Sequence, residues 1–350
     1  MNRFVKRYFI DAMSGMAQGL FASLLVGTIV KTLGTQLLRL GTNVVFKFLV
    51  DAGTFASDPH VVGAAMAVGI GYAMGCHALV LFSLVTVGAT TNILGGAGGP
   101  LAVLLIAIAA AELGMLVSKK TKVDILVTPI VTIVGGVLLA VLFAKYIGLG
   151  ASKVGNLIIL TTKLHPFWMG ILVSLIVGVA LTLPISSAAI CAALGLTGLA
   201  GGAAVAGCCA QMVGFAVMSF RENRWGGLLS QGLGTSMLQM PNIVKNPLVW
   251  IPVCLTSMIT GPVSTCLFKM EMNGAAVSSG MGTCGMVGPI GVVSGWYNPV
   301  NQALNISPSA MDWLGLLMVC IILPGVLAWA FGLAFRKLGL IKEGDLTLPE

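Results

Sequence analysis

The residues best placed to do chemistry lie in one short stretch, KMEMNGAAVSSGMGTCGMVGPIGVVSGW, at residues 269–296. A carboxylate, Glu271, and an amide, Asn273, come near its start, and Gly, Ser and Thr fill much of the remainder. Only 9% of the chain is charged, and an ionisable side chain within a membrane is costly, so it is a functional candidate by default. The alternative is that Glu271 and Lys269 form an ordinary charged turn at the membrane interface.

Neutral hydrogen-bonding side chains surround this acid and suit a polyhydroxylated ligand. Hydroxyl and amide groups satisfy the hydroxyls of such a ligand without adding a fixed charge. Trp296 and Tyr297 could stack against a sugar ring, although such a pair equally marks a membrane interface. The candidate solute-binding residues of this region are Glu271, Asn273, Ser278, Ser279, Thr283 and Asn298. Further amides with the same capacity are Gln211, Gln231, Gln239 and Asn242.

Two more candidates lie in the first half of the chain. Asn92 belongs to a second Gly-rich stretch, GATTNILGGAGGP, at residues 88–100. His77 falls inside an apolar run, residues 61–86, which we predict to be one span. It is either a helix-packing histidine or a ligand contact or proton relay.

Glu112, in AAAELGMLVSKK, is the other acid inside an apolar run. It lies about two helical turns before Lys119 and Lys120. It therefore either faces the membrane interface or takes part in binding an ion.

The motifs of covalent or metal-dependent catalysis are missing from the sequence. The chain lacks H-E-x-x-H, G-x-S-x-G and the phosphate-binding G-x-x-x-x-G-K-[ST]. Its 8 cysteines include no C-x-x-C pair, and most lie in apolar segments, where Cys behaves as a small buried residue. We therefore expect no enzyme activity, no cofactor and no metal site.

The elements that must hold the candidate residues are membrane helices. The chain has 350 residues, of which 57% are hydrophobic, and its mean hydropathy is +1.01. Apolar runs of about 20 residues recur along it, and that is the length needed to cross a bilayer. We predict an all-α polytopic membrane protein with roughly 8 to 10 transmembrane helices, forming one domain over residues 1–335 with a short cytoplasmic tail at 336–350.

The net charge of +8 follows the positive-inside rule and does not form a nucleic-acid-binding face. We expect contact with membrane lipid, no nucleic acid partner, and both termini in the cytoplasm. Two full spans between Arg221 and Arg336 return the chain to the same side, so the Gly-rich stretch between them must re-enter. The basic clusters are Arg3, Lys6 and Arg7; Lys119, Lys120 and Lys122; Arg221 and Arg224; Arg336, Lys337 and Lys342.

The two Gly-rich stretches resemble each other. Both mix Gly with Thr or Ser, and both end in Gly-Pro. Interrupted helices in corresponding places of two halves are typical of transporters that bind their solute near the middle of the bilayer. We predict two re-entrant hairpins and an internal repeat with halves at about residues 9–150 and 165–335. In a chain with 46 glycines the correspondence could also be a coincidence.

Longer stretches of the sequence resemble a known family. Two stretches carry the resemblance, NGAAVSSGMGTCGMVGPIG and the N-terminal RFVKRYFIDAMSGMAQGLFASLLVGTIVKTLG. Together with the overall length, they resemble the stand-alone membrane IIC components of the bacterial sugar phosphotransferase system, in the subgroup of perfringolysin-regulator-like proteins. The resemblance implies a homodimeric permease of the bacterial cytoplasmic membrane, in which re-entrant hairpins and an acid hold a sugar. Separate IIA and IIB proteins would supply the phosphoryl group. The resemblance assigns Glu271 and residues 273–289 to the substrate region. It also implies a histidine partner for the acid, for which His77 is the candidate, although no motif identifies it.

The leading hypothesis is a transporter that moves a small polar solute through a mid-membrane cavity lined by the candidate residues, with Asn92 and His77 from the first half. One alternative is a membrane sensor or regulator that binds a ligand without transport, since no IIA or IIB domain is fused to the chain. The other is an ion-coupled secondary carrier, in which Glu271 or Glu112 binds a proton or a sodium ion.

Overall fold

The computed structural model describes residues 6–41, 43–297 and 308–348, and regular secondary structure in these ranges is helical. Among the described residues, six helices are long and apolar enough to cross a membrane, and three shorter apolar helices accompany them. The only strand-like contact in the same ranges is an isolated antiparallel bridge between Gly198 and Met272. The prediction of an all-α polytopic membrane protein is confirmed.

The chain divides into two compact units, Met1–Ser152 and Lys153–Glu350. The internal repeat stays a prediction. The helices of the first unit are α1 (Lys6–Leu38), α2 (Val44–Ala56), α3 (Pro59–Ala73), α4 (Ala78–Gly95), α5 (Gly99–Val117) and α6 (Asp124–Thr162), which contains the boundary. The helices of the second unit are α7 (Pro166–Thr182), α8 (Ser187–Ala193), α9 (Gly198–Met218), α10 (Phe220–Leu229), α11 (Met240–Lys245), α12 (Pro247–Leu267), α13 (Val287–Trp296) and α14 (Ala310–Lys337).

The first unit contains a turn within the apolar run at residues 61–86. The prediction of a single span there is wrong, because α3 ends at Ala73 and α4 begins at Ala78. Gly75 has φ +70, a left-handed conformation that glycine adopts without steric cost and that commonly ends helices. His77 therefore lies at the start of α4 and not in the middle of a span.

α4 and α5 form an antiparallel hairpin around the first Gly-rich stretch. The turn occupies Gly96–Gly98, and Gly96 has φ +52. Far from the turn, Val80 of α4 lies against Gly114 of α5. The two helices have 18 and 19 residues. Each is therefore about 27 Å long, close to the roughly 30 Å hydrocarbon core of a bilayer. The first break is a tight turn between two long helices, so the prediction of a re-entrant hairpin there is wrong.

The second unit is built around α9, which its neighbours almost completely enclose. In the most apolar window of this helix, 89% of the residues are buried. Its many Gly and Ala residues let other helices approach closely. Gly207 meets the backbone of Ser174 in α7, and Gly214 lies beside Val253 of α12. Small residues at such positions allow membrane helices to pack through their backbones.

α9 and α14 run in the same direction through the second unit. Gly214 contacts Ala328, and one turn further along, Met218 contacts Gly332. The basic residues that follow each helix therefore lie at the same end of the unit. The count of two full spans between these basic clusters predicts this arrangement.

Candidate functional site

Glu271 lies on a short extended segment that follows α12. The Met270 N–H donates to the Ser264 carbonyl (2.9 Å), and Met272 exchanges two backbone hydrogen bonds with Gly198, at 2.9 and 3.0 Å. Successive side chains of an extended segment point to opposite sides. Met270 and Met272 are accordingly buried, whereas Glu271 and Asn273 are exposed. The two methionines anchor the segment, and the acid and the amide share its open face.

The Glu271 carboxylate accepts a hydrogen bond of 2.8 Å from the Asn273 side-chain amide. Within the described ranges no cation lies at ion-pair distance from Glu271, Lys269 included. The alternative interpretation, in which Glu271 and Lys269 form an ordinary charged turn, is therefore not supported by an ion pair between them. Asn273 is the only side chain in the described ranges that donates a hydrogen bond to this carboxylate.

The first turn of α9 lies beside this acid. A Cβ atom built on Gly202 would clash with the Met270 carbonyl and would lie 3.6 Å from the Glu271 Cα atom. Glycine at this position lets the extended segment cross close to the N-terminal end of α9.

The second Gly-rich stretch forms a hairpin with short limbs. Gly274 lies against Gly291, and near the turn the Gly288 N–H donates to the Gly282 carbonyl (2.8 Å). The limbs are a five-residue helical segment, Ala276–Gly280, and the ten-residue α13. Ten helical residues span only about 15 Å, half of the hydrocarbon core. This hairpin is too short to cross and has the geometry expected of a re-entrant segment.

A second short hairpin, which the sequence did not reveal, packs against the first. It contains α8, a helix of seven residues. The Ser187 hydroxyl donates to the Gly280 carbonyl (2.7 Å), and the Ser279 hydroxyl donates to the Leu196 carbonyl (2.6 Å). Each hairpin therefore holds the backbone of the other. The signal that could have revealed it is PISSAAICAALGLTG at residues 184–198, whose two last glycines have positive φ.

The other predicted site residues of this region face the packed interior. Ser278, Ser279 and Thr283 are all buried. The Thr283 hydroxyl lies 3.7 Å from the Met212 sulfur. Their role as solute ligands stays a prediction. Asn298 lies outside the described residues.

Asn92 and His77 lie in the first unit, and each has a partner there. The Asn92 amide donates to the Pro59 carbonyl (2.7 Å), which ties the α4–α5 turn region to the start of α3. The His77 Nδ1 atom is 3.1 Å from the Ser118 hydroxyl, just after α5. Their contribution to a solute site stays a prediction.

Glu112 is also engaged within the first unit. Its Oε1 atom accepts from the Arg7 guanidinium (2.8 Å) and from the Tyr8 hydroxyl (2.9 Å). An acid in an apolar helix needs such partners, and these two join α1 to α5. The contacts account for Glu112 without an ion ligand.

The buried amides of the second unit bind the chain that follows α14. Gln239 donates to the Gln231 side chain (2.9 Å) and to the Leu346 carbonyl (3.0 Å). Asn242 donates to the Gln239 side chain and to the Thr347 carbonyl, both at 2.8 Å. Buried amides must be paired, and here their partners are one another and the tail. The hydrogen-bonding groups of these amides are therefore occupied by contacts within the protein.

Gln211 has a similar position inside α9. Its side chain is fully buried, and its oxygen accepts from the Trp250 indole (2.8 Å) and the Thr182 hydroxyl (3.2 Å). It therefore cross-links α9, α12 and α7. Across the described residues, no three His, Cys, Asp or Glu side chains gather into a candidate metal site.

These features define a class of protein. In the second unit, apolar helices surround the buried α9, and an extended segment with an exposed acid passes close to the start of α9 and leads into a hairpin too short to cross. This is the architecture of a multi-pass membrane protein with broken helices, a feature of many transporters.

The sequence comparisons identify the family. The family model described as "Phosphotransferase system, EIIC" matches residues 10–348. The chain belongs to this family, and it is a transport component and not an enzyme in its own right. Neither the curated proteins nor the solved structures include a significant match to the chain.

Proposed function

We propose that this protein binds a small polyhydroxylated solute, a sugar, at the face formed by Glu271 and Asn273, and moves it across the membrane. The observation that carries the proposal is an exposed carboxylate that forms no ion pair with the described residues, on a segment that buried methionines hold in place. In this proposal, separate IIA and IIB proteins supply the phosphoryl group.

The chemistry of the two side chains suits sugar hydroxyls. A carboxylate has about four lone-pair sites, and Asn273 occupies one of those on Glu271. The rest can accept from neighbouring hydroxyls, and charge-assisted hydrogen bonds of this kind are about twice as strong as neutral ones. With respect to the described residues, the Asn273 carbonyl oxygen is available as an acceptor and its second amide hydrogen as a donor.

The surrounding backbone allows a ligand to come close. Gly195 precedes α9, Gly198 is its first residue, and Gly274 follows Asn273, so these positions place no side chain between a solute and the polypeptide. The hydrogen bonds between the two hairpins fix the position of the site, which reduces the ordering cost on binding.

The orientation and assembly belong to the same proposal. The end of the second unit that carries Arg221 and Arg336 would face the cytoplasm, because basic residues concentrate on that side. We also propose that the protein lies in a bacterial cytoplasmic membrane with both termini inside the cell. The homodimer is proposed from the resemblance to IIC components alone.

The test begins with the purified protein and a panel of mono- and disaccharides. A sugar that raises the unfolding temperature is then offered to proteoliposomes that contain IIA, IIB and a phosphoryl donor. Uptake that depends on Glu271 supports the proposal. Stabilisation without uptake would show a ligand-binding regulator, and uptake driven by a proton or sodium gradient would show an ion-coupled carrier.

A further inference from the structure

A second site lies in the second unit, at the end where α9 and α14 finish. A cleft of about 270 Å³ opens there between the end of α9, α10 and α14. Its walls include Val217, Leu228, Trp329 and Leu333. The Trp329 side chain is 54% exposed, so this wall of the cleft is open to its surroundings.

Two arginines complete the lining, and they differ in what they contact. Arg336 is mostly buried, and its Nη2 atom donates to Glu222 (2.7 Å) and to the Met218 carbonyl (3.3 Å). Arg221 is exposed and forms no ion pair within the described ranges. Arg221 is therefore the arginine of the cleft that has no acidic partner among the described residues.

The arrangement of Glu222 sets where an anion can approach. Its Oε1 atom binds Arg336, whereas Oε2 is buried without a hydrogen-bond partner. The remaining negative charge disfavours an anion deep against Arg336. An anionic group is attracted instead to Arg221 at the mouth of the cleft, with Arg336 contributing from behind.

The apolar wall runs away from these charges along α14. Trp329 precedes Arg336 by seven residues, which places its backbone about 10 Å further along the helix axis. One end of the cleft is therefore cationic, and the other offers exposed aromatic and aliphatic surface. A ligand that matches both ends has an anionic head and an apolar chain.

The size of the cleft agrees with a ligand that is only partly enclosed. Pockets that bury drug-sized ligands have volumes of roughly 300 to 1,000 Å³, and this one is slightly smaller. It can hold a phosphate-containing head group while the rest of the ligand lies outside. In a multi-pass membrane protein the molecules at such a surface are lipids, and basic pockets between helices bind anionic head groups.

We propose that this cleft, lined by Arg221, Arg336 and Trp329, is a binding site for an anionic phospholipid, with the phosphate at Arg221 and an acyl chain along Trp329. This site is separate from the proposed solute site at Glu271. The test of the lipid site therefore does not depend on whether the protein binds a sugar.

The test uses the intrinsic fluorescence of Trp329 in reconstituted full-length protein. The protein is placed in phosphatidylcholine vesicles that contain a second lipid brominated on its acyl chain, because bromine quenches a nearby indole. This second lipid is phosphatidylglycerol in one series and phosphatidylcholine in the other. The contribution of Trp329 is isolated by comparison with Trp329→Phe. We expect brominated phosphatidylglycerol to quench Trp329 at a lower mole fraction than brominated phosphatidylcholine.

Two variants that each remove one positive charge give the matched comparison. Arg221→Gln should lower the preference for phosphatidylglycerol by about fivefold, the size expected for one basic side chain near an anionic surface. Lys337→Gln removes a charge at the same end but outside the cleft lining, and it should leave most of the preference. Should Arg221→Gln fail to fold, Arg221→Lys keeps the charge and should retain much of the preference.

Three results would overturn the proposal. The first is equal quenching of Trp329 by the two brominated lipids. The second is an equal loss of preference in Arg221→Gln and Lys337→Gln, or a complete loss in Arg221→Lys. The third is abolition of the preference by sodium phosphate at a fixed ionic strength, which would indicate a site for free phosphate.

Discussion

The two Gly-rich stretches of this protein have similar sequences and different structures. Residues 88–100 contain a tight turn between two helices that are each long enough to cross the bilayer, whereas residues 273–289 belong to a hairpin whose limbs are too short. Both depend on glycine for close packing, since a Cβ atom on Gly98 would lie 2.7 Å from the Gly148 Cα atom and one on Gly288 would lie 2.5 Å from the Gly282 carbonyl oxygen. They differ at the glycine that turns the chain with a positive φ.

Gly96 and Gly282 make the difference concrete, because both have φ +52. A Cβ atom on Gly96 would meet no atom within 4 Å, whereas one on Gly282 would lie 2.7 Å from the Cys208 Cβ atom of α9. The composition of a Gly-rich stretch therefore predicts a break in a helix. It does not predict whether the glycine at the turn is exposed or packed.

The largest expected effect comes from the pair Gly282→Ala and Gly96→Ala. Each places an alanine at positive φ, at a cost of about 1–2 kcal/mol. Gly282→Ala adds overpacking against α9, which costs about 1–3 kcal/mol more. Thermal unfolding in detergent should therefore show the greater loss of stability for Gly282→Ala. Equal losses would contradict the distinction between the two breaks.

The same distinction explains what the sequence could and could not predict. The long apolar helices and the basic clusters follow from composition and length, which are local properties. The contacts of Ser279 with Leu196 and of Gln239 with Leu346 join residues that are 83 and 107 positions apart. No local pattern identifies such partners. The sequence therefore shows that the buried amides could bind a solute, but not that Gln239 and Asn242 bind the tail or that Gln211 binds Trp250.

Ser279→Ala is expected to have an intermediate effect. It removes the hydrogen bond to the buried Leu196 carbonyl and leaves that acceptor unsatisfied, at a cost of about 1–3 kcal/mol. Because this bond joins the two hairpins, the variant should also bind solute more weakly. Ser309→Ala, which removes an exposed helix cap, is the control, and its solute affinity should equal that of the parent.

Asn92→Ala is expected to have the smallest effect on stability. Its hydrogen bond to the Pro59 carbonyl is partly exposed, so water can replace the amide, and the loss should be about 0.5–1.5 kcal/mol. The unfolding temperature should fall less than in Ser279→Ala. A larger fall would mean that water cannot replace the amide at this hydrogen bond.

The central claim is that the acid of the second stretch binds the solute, and the affinity of Glu271→Gln for a stabilising sugar tests it most directly. The substitution keeps the shape and removes the charge, and Glu343→Gln in the exposed tail is the matched control. Titration calorimetry should show about tenfold to hundredfold weaker binding for Glu271→Gln, since hydrogen bonds to a charged group contribute roughly 1.5–3 kcal/mol. The control should bind like the parent. Unchanged affinity in a folded Glu271→Gln protein would contradict the account.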